Sequence, residues 1–312
     1  MVVVYFGTPQ FAVPTLRRLI DSRHRVCGVV TQPDRPRGRG QKVTDAPVKA
    51  LAGEQGLPVI QPDRLREPAV AETLRAWAPD IGVVAAYGRM IPDSLLEIPR
   101  HGMINVHASL LPRYRGAAPV HRAIIDGEGR TGVTIMRVAS QLDSGEMFGK
   151  VVRPIGREET SDLVERDLSE LGATLLLAVL DAIDAGSAVE EKQDHAAATY
   201  APKITREDGR IDWSLSAESI HNRVRGLYPW PHAFTFLDGS RLIILRTHTE
   251  SGTQPAAPGT VVDASRDAIH VATGDGGRLA IDELQPEGKR AMRARDYLAG
   301  RPIPVGSRFT SS

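Results

Sequence analysis

The chain has 312 residues, 41% of them hydrophobic, with 39 Lys+Arg against 38 Asp+Glu and a formal net charge of +1. A balance this close leaves no general field to draw polyanions or anionic lipid, so any such partner must be held by a local patch. The longest apolar stretches, such as Leu171–Ile183, fall short of the ~20 residues of a membrane span, so a transmembrane helix is not expected.

Met1 is followed at once by Val2–Phe6, which reads as a core strand and leaves no room for a charged n-region and a signal core; the expectation is a cytoplasmic chain. Short β-branched runs then alternate with longer amphipathic segments. The runs predict strands at Val2–Phe6, Arg25–Thr31, Pro58–Gln61, Ile81–Ala85 and Met103–His107. Helices are predicted near Phe11–Asp21, Pro47–Gln55, Pro68–Trp77 and Pro92–Leu96, several opening on a Pro whose missing N–H is harmless in a first turn. The pattern is that of a doubly wound, mostly parallel α/β sheet, whose ligand belongs beyond the carboxyl ends of the strands. A helix near Ala118–Asp126, strands near Thr131–Val138 and Met147–Val152, and a Leu/Ala-rich helix near Ser161–Ala185 complete it.

From Gly186 to Arg206 the pattern breaks into charged and small residues. Beyond lie one helix near Ala217–Gly226 and short strands near Ala233–Phe236, Arg241–Thr247, Gly259–Asp263, Ala268–Ala272 and Arg278–Glu283, separated by Gly, Asp and Ser turns. That spacing is the signature of a small β-barrel. The expected organisation is an α/β domain over 1–189, a linker over 190–207 and a barrel over 208–312.

Several chemistries lack their carriers. The turn Phe6-Gly7-Thr8-Pro9 has one glycine where a dinucleotide fingerprint needs three. His101, His107 and His121 are not at zinc-helix spacing, and no metal is expected. There is no G-x-S-x-G elbow and no P-loop. The single cysteine, Cys27, excludes an internal disulfide and sits in an apolar run that predicts a buried core residue.

Polar density gathers instead at the end of the fifth strand. Asn105 and His107, two apart on a strand, share one face. Asp143 follows in the loop Gln141-Leu142-Asp143-Ser144-Gly145, between two predicted strands. Just past His107 runs Ser109-Leu110-Leu111-Pro112-Arg113-Tyr114-Arg115-Gly116, and a separate basic segment spans Asp34–Lys42 with Arg35, Arg37, Arg39 and Lys42.

With these residues the chain resembles the folate-dependent formyltransferases. In that family Asn-x-His, a following S-L-L-P-x-x-R-G and a D-[ST]-G-[DE] loop form the active site; here they are Asn105 and His107, Ser109–Gly116, and Asp143–Glu146. The resemblance extends to Phe6–Pro9, to Thr31–Pro36 through Lys49, to Lys203-Ile204, Asp212-Trp213 and Tyr228–Pro231. Tyr114 and His121 depart from the pattern, standing where Trp and Gln are expected, and Gly116–Ile124 fits the branch of the family that acts on aminoacylated tRNA.

The resemblance implies transfer of formyl from N10 of 10-formyltetrahydrofolate to the α-amino group of methionine on initiator methionyl-tRNA, for translation initiation. The alternative acceptor is a sugar amine or another small amine. It implies that Asn105, His107 and Asp143 are catalytic, and that Ser109, Leu110, Leu111, Pro112, Tyr87 and Gly88 line the folate. It further implies that Arg35, Arg37, Arg39 and Lys42 meet the tRNA acceptor end, and that the barrel is OB-like and adds a weak tRNA surface. The expected protein is a monomer with no membrane partner.

Overall fold

Nearly every residue of Val2–Gly7, Arg25–Val30, Ile81–Ala85 and Met103–His107 is buried, as parallel strands covered on both faces must be. The computed structural model describes residues 1–34, 36–37, 42–252, 255–264 and 267–311, and only the backbone of 36, 37, 42 and 43. The chain divides into two compact units, Met1–Pro119 with Thr131–Arg153 and Glu165–Ala201, and Val120–Arg130 with Pro154–Val164 and Pro202–Ser312.

In the first unit the spatial strand order is Met147–Pro154, Arg130–Arg137, Met103–His107, Ile81–Ala85, Val2–Gly7, Arg25–Val30, Val59–Ile60. From Val2–Gly7 the chain steps outward on one side, then returns to build the other, so the order reverses between Val2–Gly7 and Ile81–Ala85. These strands run parallel with Gly7 beside Ala85, and the loops leaving them diverge into a crevice. Arg130–Arg137 is antiparallel to Met103–His107. Pro stands in the first turn of Val13–Ile20, Pro47–Glu54 and Pro68–Trp77, where the missing donor costs nothing. Val4, Phe6, Val30, Leu74, Leu95 and Met103 fill the core on one side of the sheet. Cys27 joins them, its thiol donating to the Val3 carbonyl at 3.2 Å, and burial pushes its pKa up.

The segment expected to begin a linker is instead bound into the first unit as far as Ala201. Glu191 exchanges backbone hydrogen bonds with Met147, at 2.8 and 2.9 Å, and Tyr200–Ala201 pairs in parallel with Arg115–Gly116. Backbone groups make these bonds, so they impose no apolar periodicity on the sequence.

The second unit recruits two segments, Val120–Arg130 and Pro154–Val164, that interrupt the first unit in the sequence. Ile155 N–H donates to the Gly129 carbonyl at 3.0 Å, the His121 ring bonds the Gly226 carbonyl at 2.6 Å, and Arg225 donates to the carbonyls of Gly156 and Glu159. Its main sheet runs Val261–Asp263, Ile269–Ala272, Arg278–Pro286, Ser240–Glu250, Ala233–Leu237, Phe309–Thr310, with antiparallel neighbours. A bridge between Thr260 and Arg308 joins the two ends, with Val261 N–H on the Ser307 carbonyl at 2.8 Å, and closes the sheet into a barrel. Inside lie Ile220, Val224, Leu242, Ile281 and Trp213, whose indole stacks on Phe309 and donates to Thr235 at 2.9 Å.

Candidate active site

The carboxyl end of Met103–His107 is where the chemistry collects. His107 stands opposite Thr134 on the antiparallel neighbour. The Thr134 hydroxyl donates to the Ser109 carbonyl at 2.7 Å and accepts from Leu111 N–H at 3.1 Å, folding Ser109–Pro112 back over the strand end. The Ser109 hydroxyl donates to the Arg113 carbonyl at 2.6 Å, and the Leu111–Pro112 peptide is cis. The turn ends at Tyr114, whose φ of +60° aims its carbonyl back into the site.

That carbonyl lies 3.0 Å from His107 Nε2. A carbonyl only accepts, so Nε2 carries a hydrogen and the imidazole is held in one orientation. The other ring nitrogen, Nδ1, lies 3.6 Å from Asp143 Oδ2. The same carboxylate oxygen accepts from Gly116 N–H at 2.8 Å. Asp143 adopts φ +46°, a conformation that Asp tolerates better than most residues. Two glycines are required here: a Cβ on Gly145 would lie 2.0 Å from the Arg137 carbonyl oxygen, and one on Gly116, at φ +123°, would lie 2.6 Å from that of Ala201.

Asn105 lies one strand repeat before His107 on the same face, half-buried, with no side-chain hydrogen bond among the described residues. The structure therefore sets a carboxylate against a buried imidazole and leaves an amide on the same strand face with its hydrogen-bonding capacity free. Such a set can donate to a developing oxyanion and carry a proton.

Two residues outside every motif, Gln193 and Thr199, complete the site together with Arg115 and Tyr114 of the Ser109–Gly116 segment. Gln193, 5% exposed, donates from its amide to the carbonyls of Asp143 and Gly145. Arg115, 4% exposed, donates to Gln193, and the Thr199 hydroxyl accepts from Tyr114 N–H at 2.9 Å. Gln193 and Thr199 lie in the polar stretch that reads as a linker; burial marks Gln193, whereas Thr199 is exposed and is revealed only by its bond to Tyr114.

At the switch side of the sheet, a cleft of about 500 Å³ is lined by Arg64, Leu65, Arg66, Arg89, Met90 and Ile91 among others. It sets three arginines beside apolar surface and the two carboxylates of Asp63 and Asp93. Arg89 is fixed by donating to the carbonyls of Pro62 and Asp63. Tyr87 itself turns away: its ring is 1% exposed, meets Phe6 edge-on at 5.5 Å, and its hydroxyl has no partner among the described residues. Burial pushes that phenol's pKa up. What position 87 presents is backbone, its carbonyl accepting from Gln32 at 2.5 Å, next to Gly88 at φ +79°.

Of the basic segment, Arg35 and Arg39 lie outside the described residues, and Arg37 pairs with Lys42 in a two-stranded antiparallel ribbon. At its base Asp34 accepts from Lys49 and from Ala46 N–H, and the Lys49 ammonium holds its carboxyl below the usual range.

Residues 1–180 match the formyl transferase family, and residues 203–302 match the formyl transferase C-terminal domain. A methionyl-tRNA formyltransferase of Geotalea uraniireducens is 50% identical over 307 residues, 98% of this chain and 97% of its own. Among solved structures, an N-formyltransferase from Helicobacter canadensis, in complex with folinic acid and dTDP-3-aminofucose, superposes with a TM-score of 0.67 at 16% identity, over 90% of this chain and 98% of its own. HypX from Aquifex aeolicus in complex with tetrahydrofolic acid gives 0.62 at 17% identity, over 96% and 48%.

Proposed function

This chain belongs to the formyl transferase family, and on that premise we propose that it transfers the formyl group of 10-formyltetrahydrofolate to the α-amino group of methionine on initiator methionyl-tRNA. The observation that carries the chemistry is the His107–Asp143 pair, 3.6 Å apart, with His107 on the strand whose Asn105 amide has no partner among the described residues. The tRNA-linked acceptor is supported by likeness to the Geotalea enzyme along both units at 50% identity, whereas the sugar enzyme shares 16% and speaks to fold alone.

In this reading the acceptor needs no strong base, because an α-amino group with a reference pKa of about 7.7–8.0 is already partly neutral near pH 7. The enzyme positions and stabilises. As the amine attacks the formyl carbon, Asn105 donates to the oxygen that gains charge. Loss of one such donor typically costs roughly 10²–10³ in rate. His107 handles the proton that the attacking nitrogen must lose and N10 must gain, and Asp143 stabilises the imidazolium. The folate suits the sheet's carboxyl edge: Ser109–Pro112 and the backbone at 87–88 border it, and the Arg64, Arg66 and Arg89 cleft matches a ligand with a flat ring and terminal carboxylates.

We assign the catalytic role to the first unit and the weak tRNA surface to the second, with Arg35, Arg37, Arg39 and Lys42 at the acceptor end and the protein working as a cytoplasmic monomer. The deciding experiment offers radiolabelled 10-formyltetrahydrofolate with methionyl-tRNA in one tube and a nucleotide-linked amino sugar in another. Label transferred to the tRNA supports the proposal; label transferred to the sugar alone overturns it.

A further inference from the structure

We infer that Gln193 is a positioning residue for the formyl transfer proposed above, clamping the Asp143 loop against His107 with its amide oriented by Arg115. The inference rests on that functional reading. Its geometry begins with an amide whose polar atoms are all engaged. Oε1 accepts from Arg115 Nε at 3.2 Å and Nη2 at 2.7 Å, while Nε2 donates to the carbonyls of Asp143 at 2.9 Å and Gly145 at 2.7 Å. A guanidinium only donates, so it must face Oε1, and this turns the two N–H donors toward the loop.

Arg115 is itself 4% exposed, has no carboxylate within ion-pair distance among the described residues, and makes its remaining side-chain bond to His195 Nδ1 at 3.0 Å. A buried cation without a counter-charge is costly to keep, and here it decides which end of Gln193 meets Asp143. Asp143 is thereby gripped twice. Gly116 N–H holds the carboxylate at 2.8 Å, and Gln193 holds the backbone carbonyl of the same residue, which stands at φ +46°. Because the carboxylate sits 3.6 Å from His107, releasing the loop moves the group that orients the imidazole. A misplacement of about 1 Å in such a site can cost ~10²-fold in rate.

The test uses the full chain with Gln193→Leu and the near-isosteric Gln193→Glu, which keeps an acceptor for Arg115 but loses the donors to the loop. Two readouts are combined: amide hydrogen exchange at Gly116, whose N–H reports the Asp143 carboxylate, and steady-state formylation. Ala117, whose N–H bonds the Ala201 carbonyl at 3.0 Å, is the internal control. Expected in either folded variant are exchange at Gly116 faster by at least ~10-fold with Ala117 unchanged, kcat lower by about 10²-fold and both KM values within about twofold. Arg115→Lys, which keeps the charge but not the fork, should lie between wild type and Gln193→Leu.

Gly116 protection and kcat at wild-type levels would overturn the inference. So would equal acceleration at Gly116 and Ala117, or a rise in KM at constant kcat, each of which marks a merely structural residue. If Gln193→Leu fails to fold, Gln193→Glu and Arg115→Lys decide by the same readouts. Failure of the wild type to formylate methionyl-tRNA would reject the proposed function, while the exchange pattern would still decide the clamp.

Discussion

Replacing Asp143 by Asn keeps the shape of the site and removes its charge. Asn tolerates φ +46° as well as Asp does, and its carbonyl oxygen still accepts from Gly116 N–H. What disappears is a carboxylate 3.6 Å from His107 Nδ1. At an effective dielectric constant of about 20, opposite unit charges at that separation attract by roughly 4–5 kcal/mol, an interaction that grows as the imidazole takes up a proton. If about half of it is expressed in the transition state, the barrier rises by roughly 2–3 kcal/mol and the rate falls ~10²-fold. Single-turnover formylation at saturating substrates, beside a thermal melt, measures this. The expected variant melts like the wild type, binds both substrates and turns over about 10²-fold more slowly. Asp143→Ala should melt lower as well, having lost the Gly116 contact. Turnover within about threefold of wild type in a normally folded Asp143→Asn protein would refute the pairing argument.

Tyr87→Phe removes a buried hydroxyl that has no partner among the described residues, so stability should be unchanged or rise by up to about 1 kcal/mol in urea unfolding; a loss of that size, or weakened folate binding, would show that the hydroxyl has a ligand. In the barrel, burial works against charging His248, but its 2.9 Å contact with Asp282 and the nearby Glu250 carboxylate raise its pKa above 6.5 overall. The folded state thus holds the proton more tightly, so this stabilisation is full below pH 6.5 and is lost as pH rises through the higher folded value. His248→Gln should accordingly cost stability in mildly acid buffer and little in alkaline buffer, and an identical loss at both would contradict the assignment. Replacing Arg35, Arg37, Arg39 and Lys42 by Ala should weaken tRNA binding and flatten its salt dependence by about 0.7–0.9 in log–log slope per lost phosphate contact; unchanged affinity and slope would leave the segment without an RNA role.

The sheet was legible because its strands are continuous β-branched runs, and the shared face of Asn105 and His107 follows from a period of two. Asp143 was a different matter. Thirty-odd residues separate it from the strand, and only resemblance to a family placed it beside His107. The strap from Glu191 to Ala201 left no trace, since backbone pairing and one amide side chain hold it and neither produces periodicity. The membership of 120–130 and 154–164 in the second unit was hidden likewise, because a single polar side chain on one partner, His121 or Arg225, bonds a backbone carbonyl on the other, a group that every residue possesses. Tyr87 lies past the end of its strand, where alternation no longer says which way a side chain points, and the ring went to the core.

The role of Asn105 in formyl transfer is decided by single-turnover transfer from 10-formyltetrahydrofolate to methionyl-tRNA by the wild type beside Asn105→Ala, with the recovered amino acid identified after ester hydrolysis. Formylmethionine is expected from both, formed roughly 10²–10³-fold more slowly by the variant at unchanged substrate affinity. Unmodified methionine from the wild type, or equal rates from the two proteins, would contradict it.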